Sequence, residues 1–570
     1  MAEEVWMLQT KKADFKQIGA RFRIDPVTAR IIRNRGIEGE AAIDRYLNGT
    51  LDDLYDPMLL KDMERAVSIL CEAVDTGKKI RIVGDYDIDG VCSTYILLQA
   101  FERLGSDVDF EIPDRIKDGY GINESIIEQA HADGVEVILT CDNGISAFHQ
   151  VELAKKYGMT VVITDHHEVP LDGEKEKIPP ADAVIDPKQA DCPYPFPEIC
   201  GAVVAYKLVQ VLYARRGVPQ MEWLDLLEFA AIATVGDVMK LQDENRILVK
   251  YGLKKMAQTK NIGLRRLAEK NNLDLGAITA YHIGFVIGPC LNAGGRLKTA
   301  KEALALLRAQ SEEEAERLAE ELKELNDTRK DMTEQGTEAA KLQVESWYQK
   351  DKVLVVFLPE CHESLAGIIA GRLREYYQKP AIVLTRGEEA VKGSGRSIDE
   401  YHMFKKLTEV SDLLLKFGGH PLAAGLSLEE KNIDEFRRRL NENAGLTEED
   451  FKAKVWIDVP MPVGYVTERL VRELSCLEPF GQGNEKPLFA EKSLRIRASR
   501  VLGRNRNVVK MTLEETDGHA IEALYFGDGT AFEEERAGRG EIDVVYYPDI
   551  NEYNGRKTLQ AVIRRYKFRG

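Results

Sequence analysis

Short β-branched runs, separated by stretches long enough for helices, set the pattern of the first half of the chain. The clearest lie at residues 80–83, 135–140, 160–164 and 183–185. Runs of this kind interleaved with helices predict a doubly wound, mainly parallel α/β sheet over residues 51–308, preceded by a helical arm over 1–50. Residues 309–350 are dense in Glu, Lys, Ala and Leu, and Ala315, Leu318, Ala319, Leu322 and Leu325 fall on one stripe. That spacing predicts a long connecting helix whose charges need no function beyond solvation. A second, smaller α/β unit is expected over 351–455, with strands near 353–357 and 381–384 around a helix at 365–377. After residue 456 the pattern changes to short alternating runs at 493–501, 508–514, 520–526, 541–547 and 558–566. Five such strands with scattered aromatics (Tyr525, Phe526, Tyr546, Tyr547 and Tyr553) predict a small barrel of the OB type.

The early strands stop at aspartates, which turns the reading from fold to chemistry. Residues 80–83 lead into Gly84-Asp85-Tyr86-Asp87-Ile88-Asp89-Gly90, and 135–140 into Cys141-Asp142-Asn143-Gly144. Residues 160–164 lead into Asp165-His166-His167, and 183–185 into Asp186-Pro187. Ligands of open α/β sheets bind at the carboxyl ends of the strands. Acids and two histidines gathered there make a divalent-cation site, and oxygen-rich ligation with imidazole points to Mn²⁺ or Mg²⁺.

Asp85, Asp87 and Asp89 alternate, and an extended backbone would send all three carboxylates to one side. Bare charges about 4 Å apart repel by roughly 4 kcal/mol at an effective dielectric near 20, so such a group calls for solvent, protons or metal. The D-x-D-x-D-G pattern also opens an EF-hand loop, but that loop follows a helix and needs Glu at its twelfth position, where this chain has Ile96 after a strand. Asp237, closing a helix-like stretch at 226–235, brings the ligands to a number sufficient for two metals. Such a pair lowers the pKa of a bridging water and clamps an in-line phosphoryl displacement. Candidates to hold phosphate are Arg115, Arg296 at the end of Asn292-Ala293-Gly294-Gly295-Arg296, and Ser394 and Arg396 in a Gly-rich turn whose amides suit an anion. The chain has no G-x-x-x-x-G-K-[ST] loop, no H-E-x-x-H helix and no G-x-S-x-G elbow.

A chain of 570 residues is too long for one core. Its net charge of −17 argues weakly against nucleic acid, yet charge is local. Between Glu491 and Lys510 one acid is outnumbered by Lys492, Arg495, Arg497, Arg500, Arg504, Arg506 and Lys510. The start, Met1-Ala2-Glu3-Glu4-Val5-Trp6, lacks the basic and apolar regions of a signal peptide, and no apolar run approaches the roughly 20 residues of a membrane helix. Eight cysteines without close pairs fit a reduced, cytoplasmic setting.

Taken together, these motifs resemble the DHH phosphoesterases and, within them, the RecJ single-stranded-DNA exonucleases. G-D-Y-D-I-D-G at 84–90, C-D-N-G at 141–144, T-D-H-H at 164–167 and V-G-D-V at 235–238 resemble the four motifs of the first domain. G-S-G-R-S at 393–397 and F-G-G-H-P-L-A-A-G at 417–425 resemble the DHH-associated domain, and L-E-P-F-G-Q-G-N at 477–484 the entry to the OB domain. The resemblance runs nearly end to end. It implies metal ligation by Asp87, Asp89, Asp142, His166 and Asp237, with Asp85 and His167 orienting ligands or protonating the leaving oxygen. It implies that Arg115, Ser394 and Arg396 grip a 5′ terminal phosphate and that His420 contacts phosphate or strand. The activity implied is 5′-to-3′ degradation of single-stranded DNA to mononucleotides with Mn²⁺ or Mg²⁺. The barrel would then add a charged track with stacking aromatics. A helicase and a single-strand-binding protein are the collaborators that family habit suggests, and a monomer is expected. Two alternatives stay open: a DHH hydrolase of short oligonucleotides or cyclic dinucleotides, and a non-catalytic single-strand-binding scaffold.

Overall fold

A computed structural model describes residues 4–553 and 555–569; residues 1–3, 554 and 570 and the side chain of Tyr553 lie outside the described residues. The chain divides into two compact units, one of residues 54–239 and 247–453, the other of 4–53, 240–246 and 454–569.

The larger unit opens with a five-stranded sheet in the order Val108–Glu111, Ile80–Val83, Val137–Cys141, Thr160–Thr164, Ala183–Ile185. Every pair is parallel. The central strands are buried along their length because both faces are covered, which is why they read as unbroken apolar runs. Ile126, Ile127 and Val151 of the helices Glu124–Ala132 and Phe148–Lys156 pack on Ile138, Val161 and Ile163 on one face. The helices Ile88–Arg103 and Gly201–Arg216 pack against each other on the sheet's other side. Thirteen of the sixteen residues of Ile88–Arg103 are buried, so this helix runs through the core and carries little amphipathic signal. Val108–Glu111 is an edge strand with two acids in four residues, and no apolar run announces it.

Helix Glu312–Gln343 spans 32 residues, about 48 Å at 1.5 Å per residue, and Ser311 caps its first turn. Ala315, Leu318, Ala319 and Leu322 form its buried stripe. Beyond it lies a second sheet in the order Leu414–Gly419, Ala423–Leu428, Val391–Arg396, Ala381–Arg386, Leu354–Phe357, in which only the last pair is parallel. Its strands alternate cleanly: Val353 and Val355 face a core with Phe436 and Leu440, while Leu354 and Val356 face one with Ile369 and Leu373. Of residues 393–397, expected as a Gly-rich turn, 393–396 belong instead to the inner strand Val391–Arg396, paired on both sides. Its glycines serve close packing; a Cβ on Gly393 would lie 2.5 Å from Leu384.

In the smaller unit, strand Phe489–Leu502 pairs with Val508–Glu514, followed in order by Ala520–Phe526, Arg556–Phe568 and Glu541–Tyr553, which pairs back onto Phe489–Leu502. The sheet thus closes into a five-stranded barrel. Helix Gly529–Arg536 fills the connection before Glu541–Tyr553. The N-terminal helices Pro26–Asn34 and Glu40–Asn48 share the barrel's core: Ile31, Ile32, Ile43 and Tyr46 pack in one cluster with Phe489, Leu494 and Val544. Arg246 is buried here, donating to the carbonyls of Tyr46, Cys476 and Leu477 at 3.0, 2.7 and 2.8 Å, and lies 4.0 Å over the Tyr46 ring. Among the described residues no helix is long and apolar enough to cross a membrane.

Candidate active site

The acids of 84–90 do not continue the strand, as simple alternation suggested. The chain turns at once into helix Ile88–Arg103, with Asp87 as N-cap accepting from Asp89 N at 3.0 Å and Gly90 N at 3.1 Å. Asp89 sits in the first turn, where its oxygens accept from Gly201 N and Ala202 N at 2.6 and 2.7 Å at the start of the neighbouring helix. A Cβ on Gly90 would lie 2.3 Å from Asp85 O, so glycine is what lets the helix begin so close to the strand end. Asp142 leaves its strand with φ of 61°, a conformation that Asp and Asn tolerate better than most residues. A Cβ on Gly201 would stand 2.8 Å from the Cβ of Asp142.

These turns bring together residues from four segments. Ligand atoms of Asp85, Asp87 and Asp142 lie within 4.8 Å of one another, as do those of Asp89, His166 and Asp237, and those of Asp142, His166 and His167. His166 Nε2 faces Asp142 Oδ1 at 3.0 Å, Asp89 Oδ2 at 3.4 Å and Asp237 Oδ2 at 3.9 Å. None of the five aspartates meets a Lys or Arg within 4 Å among the described residues. Burial first, then the charges of Asp89, Asp87 and Asp85, holds Asp142 well above the ordinary carboxylate range. Asp85 is pushed up to about 8 by burial and Asp87, and Asp237 to about 8 by burial, Asp89 and Asp87. Burial also holds the His166 imidazole down, in the neutral form that ligates metal. Buried and half-buried acids in two groups linked through Asp142 and His166, with a neutral imidazole and, among the described residues, no Lys or Arg partner, fit a pair of hard divalent cations.

His167 lies at the edge of this cluster. Its Nδ1 is 2.7 Å from Asp165 Oδ1, and Tyr120 Oη stands 3.0 Å from the same nitrogen while donating to Asp142 O at 2.8 Å. Burial pulls His167 down, but the Asp165 bond and the nearby acids outweigh it and raise it to about 9. Asp165 also accepts from Ile145 N and His166 N, so the carboxylate fixes the whole loop. Sequence reasoning counted Asp165 among the acids at the strand ends without giving it a role, and it did not place Tyr120 in the site. Asp165 was visible beside the two histidines, whereas nothing local to Tyr120 marks it.

The candidate phosphate residues gather in a separate cavity of about 870 Å³ beside Tyr86. Arg115 lies 4.6 Å over the Tyr86 ring, Arg296 donates to Ser364 O at 2.9 Å, and Arg396 donates to Gly395 O at 2.8 Å and Ser394 Oγ at 3.3 Å. Among the described residues none of the three arginines meets a carboxylate within 4 Å. Burial, then repulsion from Arg115 and Arg329, lowers Arg296 to about 10. His420 is not in this cavity; it lines a smaller one, of about 530 Å³, with Tyr120, His166, His167 and Lys188.

On the barrel, Arg497 and Lys510 pair with Glu514 and Glu522, while Lys492, Arg495, Arg500 and Arg504 meet no carboxylate among the described residues. Among the described residues the expected aromatic track does not form. A β-bulge between Val545 and Tyr546 breaks the alternation, and Tyr546 and Tyr547 are both buried. Tyr525 packs on Phe532 and Tyr566, which leaves Phe526 exposed.

Fold and site together are those of a DHH-type protein: the DHH family N-terminal domain model matches residues 79–234 and the DHHA1 domain model residues 350–445. The RecJ OB domain model matches residues 457–565. The single-stranded-DNA-specific exonuclease RecJ of Bacillus subtilis (strain 168) is 36% identical over 564 residues, covering 98% of this chain and 70% of that protein. RecJ of Escherichia coli (strain K12) is 34% identical over 563 residues, 95% of each. The crystal structure of RecJ with Mn²⁺ from Thermus thermophilus superposes with a TM-score of 0.84 at 28% identity, covering 99% of this chain and 80% of that one. The chain belongs to the RecJ family of single-stranded-DNA-specific exonucleases.

Proposed function

We propose that this chain is a divalent-metal-dependent exonuclease that removes mononucleotides from the 5′ end of single-stranded DNA. The observation that carries the reading is a buried acid–imidazole cluster that, among the described residues, meets no Lys or Arg within 4 Å, beside an arginine cavity whose three central guanidinium groups meet no carboxylate within that distance. Asp87, Asp89, Asp142, His166 and Asp237 would hold two Mn²⁺ or Mg²⁺ ions. When bound, the ions supply charge stabilisation at the scissile phosphate and an activated water.

The chain's own groups account for the rest. Asp85, accepting from Gly121 N, holds the loop that faces the cluster. His167, oriented by Asp165 and Tyr120, stands as the proton donor to the leaving 3′ oxygen. Arg115, Arg296, Ser394 and Arg396 grip the terminal phosphate, and a fixed distance from that grip to the metal cluster sets both the 5′ polarity and the release of one nucleotide per cut. His420 contacts the strand from the second lobe. The unpaired cations of the barrel add a salt-sensitive, sequence-tolerant hold. The enzyme works as a cytoplasmic monomer on strands that a helicase exposes and a single-strand-binding protein keeps open.

Single strands labelled at the 5′ or 3′ end, a blunt duplex and a cyclic dinucleotide, each with and without Mn²⁺, test this reading. Mononucleotide release from the 5′-labelled strand at the first time points, only with Mn²⁺, is the expected result. Preferential hydrolysis of the cyclic dinucleotide, or first release from the 3′ end, would overturn it.

A further inference from the structure

The arginine cavity is larger and more positive than one terminal phosphate requires. Six cationic side chains and two carboxylates line its 870 Å³, in a chain of net charge −17. Beyond Arg115, Arg296 and Arg396, the second lobe contributes Lys392 and Lys416, and sheet register fixes where they stand. Lys392, Ser394 and Arg396 alternate along one strand and so share a face, spanning about 13 Å at 3.3 Å per residue. Lys392 is registered opposite Ser427, and Ser427 opposite Lys416, so these three form a row across the sheet. Ser394 heads the adjacent parallel row, opposite Gly425 and then Gly418. The space where a Cβ would stand on either glycine is open. The floor is therefore a trough of bare backbone, with Arg396 on one side and the Lys392–Ser427–Lys416 row on the other.

We propose that this trough receives a 5′-triphosphate, so that the enzyme also accepts single strands with a polyphosphorylated 5′ end and releases their first nucleotide with its phosphates intact. The inference rests on the exonuclease reading above. A terminal monophosphate carries about two negative charges, which the three arginines answer, whereas a triphosphate carries about four, more than those arginines supply. The two lysines supply the match as point charges, without demanding the geometry of a guanidinium fork. Lys392 also pairs with Glu363 at 2.9 Å, with its own side chain about half exposed to the trough. In the reaction, water adds across the first internucleotide phosphodiester. The water oxygen bonds to phosphorus, the P–O3′ bond breaks and the 3′ oxygen takes up a proton. The products are a nucleoside 5′-triphosphate and a strand one residue shorter bearing a 5′-monophosphate; no anhydride bond is cut.

The test uses the full chain with Mn²⁺ and one synthetic single-stranded DNA made with a 5′-hydroxyl, a 5′-monophosphate or a 5′-triphosphate, the first nucleotide labelled in its base. Anion-exchange separation should show labelled nucleoside triphosphate as the first product, at a rate within about tenfold of the monophosphate strand. In the Lys392→Ala/Lys416→Ala double variant, kcat/KM on the triphosphate end should fall about tenfold or more, with the monophosphate end changed less than about twofold. The inference is overturned if the triphosphate strand resists while the monophosphate strand is degraded. It is equally overturned if pyrophosphate leaves first, or if the double variant loses activity equally on all ends. Inactivity on all three ends would remove the exonuclease reading and this inference with it.

Discussion

Asp142→Asn separates the chemistry of the acid cluster from its architecture. Asn suits the backbone at this position, where φ is 61°, and the bond from residue 142 N to Thr164 O at 3.1 Å is kept. What disappears is one carboxylate whose oxygen lies within 4.8 Å of those of Asp85 and Asp87. Two full charges at that distance repel by about 3.5 kcal/mol at an effective dielectric near 20. Partial protonation relieves much of this in the metal-free protein, which leaves on the order of 1–2 kcal/mol to be recovered by the substitution. Without metal, the variant should therefore melt a few degrees above wild type. With Mn²⁺ the order should reverse, since at a hundredfold excess over Kd wild type gains about 2.7 kcal/mol that the variant largely forgoes. Turnover of a 5′-labelled single strand should fall by roughly a thousandfold, about 4 kcal/mol of transition-state stabilisation, while strand binding in EDTA changes less than about twofold. Thermal melts with EDTA or Mn²⁺, set beside gel-resolved digestion, measure each quantity. A variant retaining more than about a tenth of wild-type turnover would refute the assignment of the site, and one that melts below wild type without metal would refute the electrostatic account.

The same cluster predicts a pH dependence. Asp85 and Asp237 are raised to about 8 in the folded protein, against about 3.9 when unfolded, so the stability tied to their protonated forms is complete below about pH 4 and is lost as pH rises through 8. Metal-free melting temperature should fall between pH 5 and pH 9, and saturating Mn²⁺ should flatten the slope; a metal-free stability that climbs over that range contradicts the reading. In the smaller unit, Arg246→Ala leaves the carbonyls of Tyr46, Cys476 and Leu477 without their donor. Denaturant unfolding should show a loss of about 3–5 kcal/mol, and a loss below about 1 kcal/mol would show that water replaces the guanidinium freely.

The parallel sheet and the identity of the acids at its edge were legible in short stretches of the chain. Strands buried on both faces must be apolar throughout, and a ligand that follows a strand directly is carried to the sheet edge by the strand itself. That is why Asp85, Asp142, His166 and His167 could be read from short windows. The long helix was legible for a similar reason, since its stripe repeats with the helical period over a few turns. Tertiary structure decided everything that depends on which distant surfaces meet. It turned Asp87 into a helix cap and set Asp89 on the amides of Gly201 and Ala202. It placed Tyr120 against His167, made residues 391–396 an inner strand, and let a bulge bury Tyr546 and Tyr547 together. It also seated the N-terminal helices in the core of a barrel more than 400 residues away. Propensity and periodicity act over a handful of neighbours, whereas strand register, helix contact and a shared core are set by the burial of surfaces whose separation along the chain leaves no local trace.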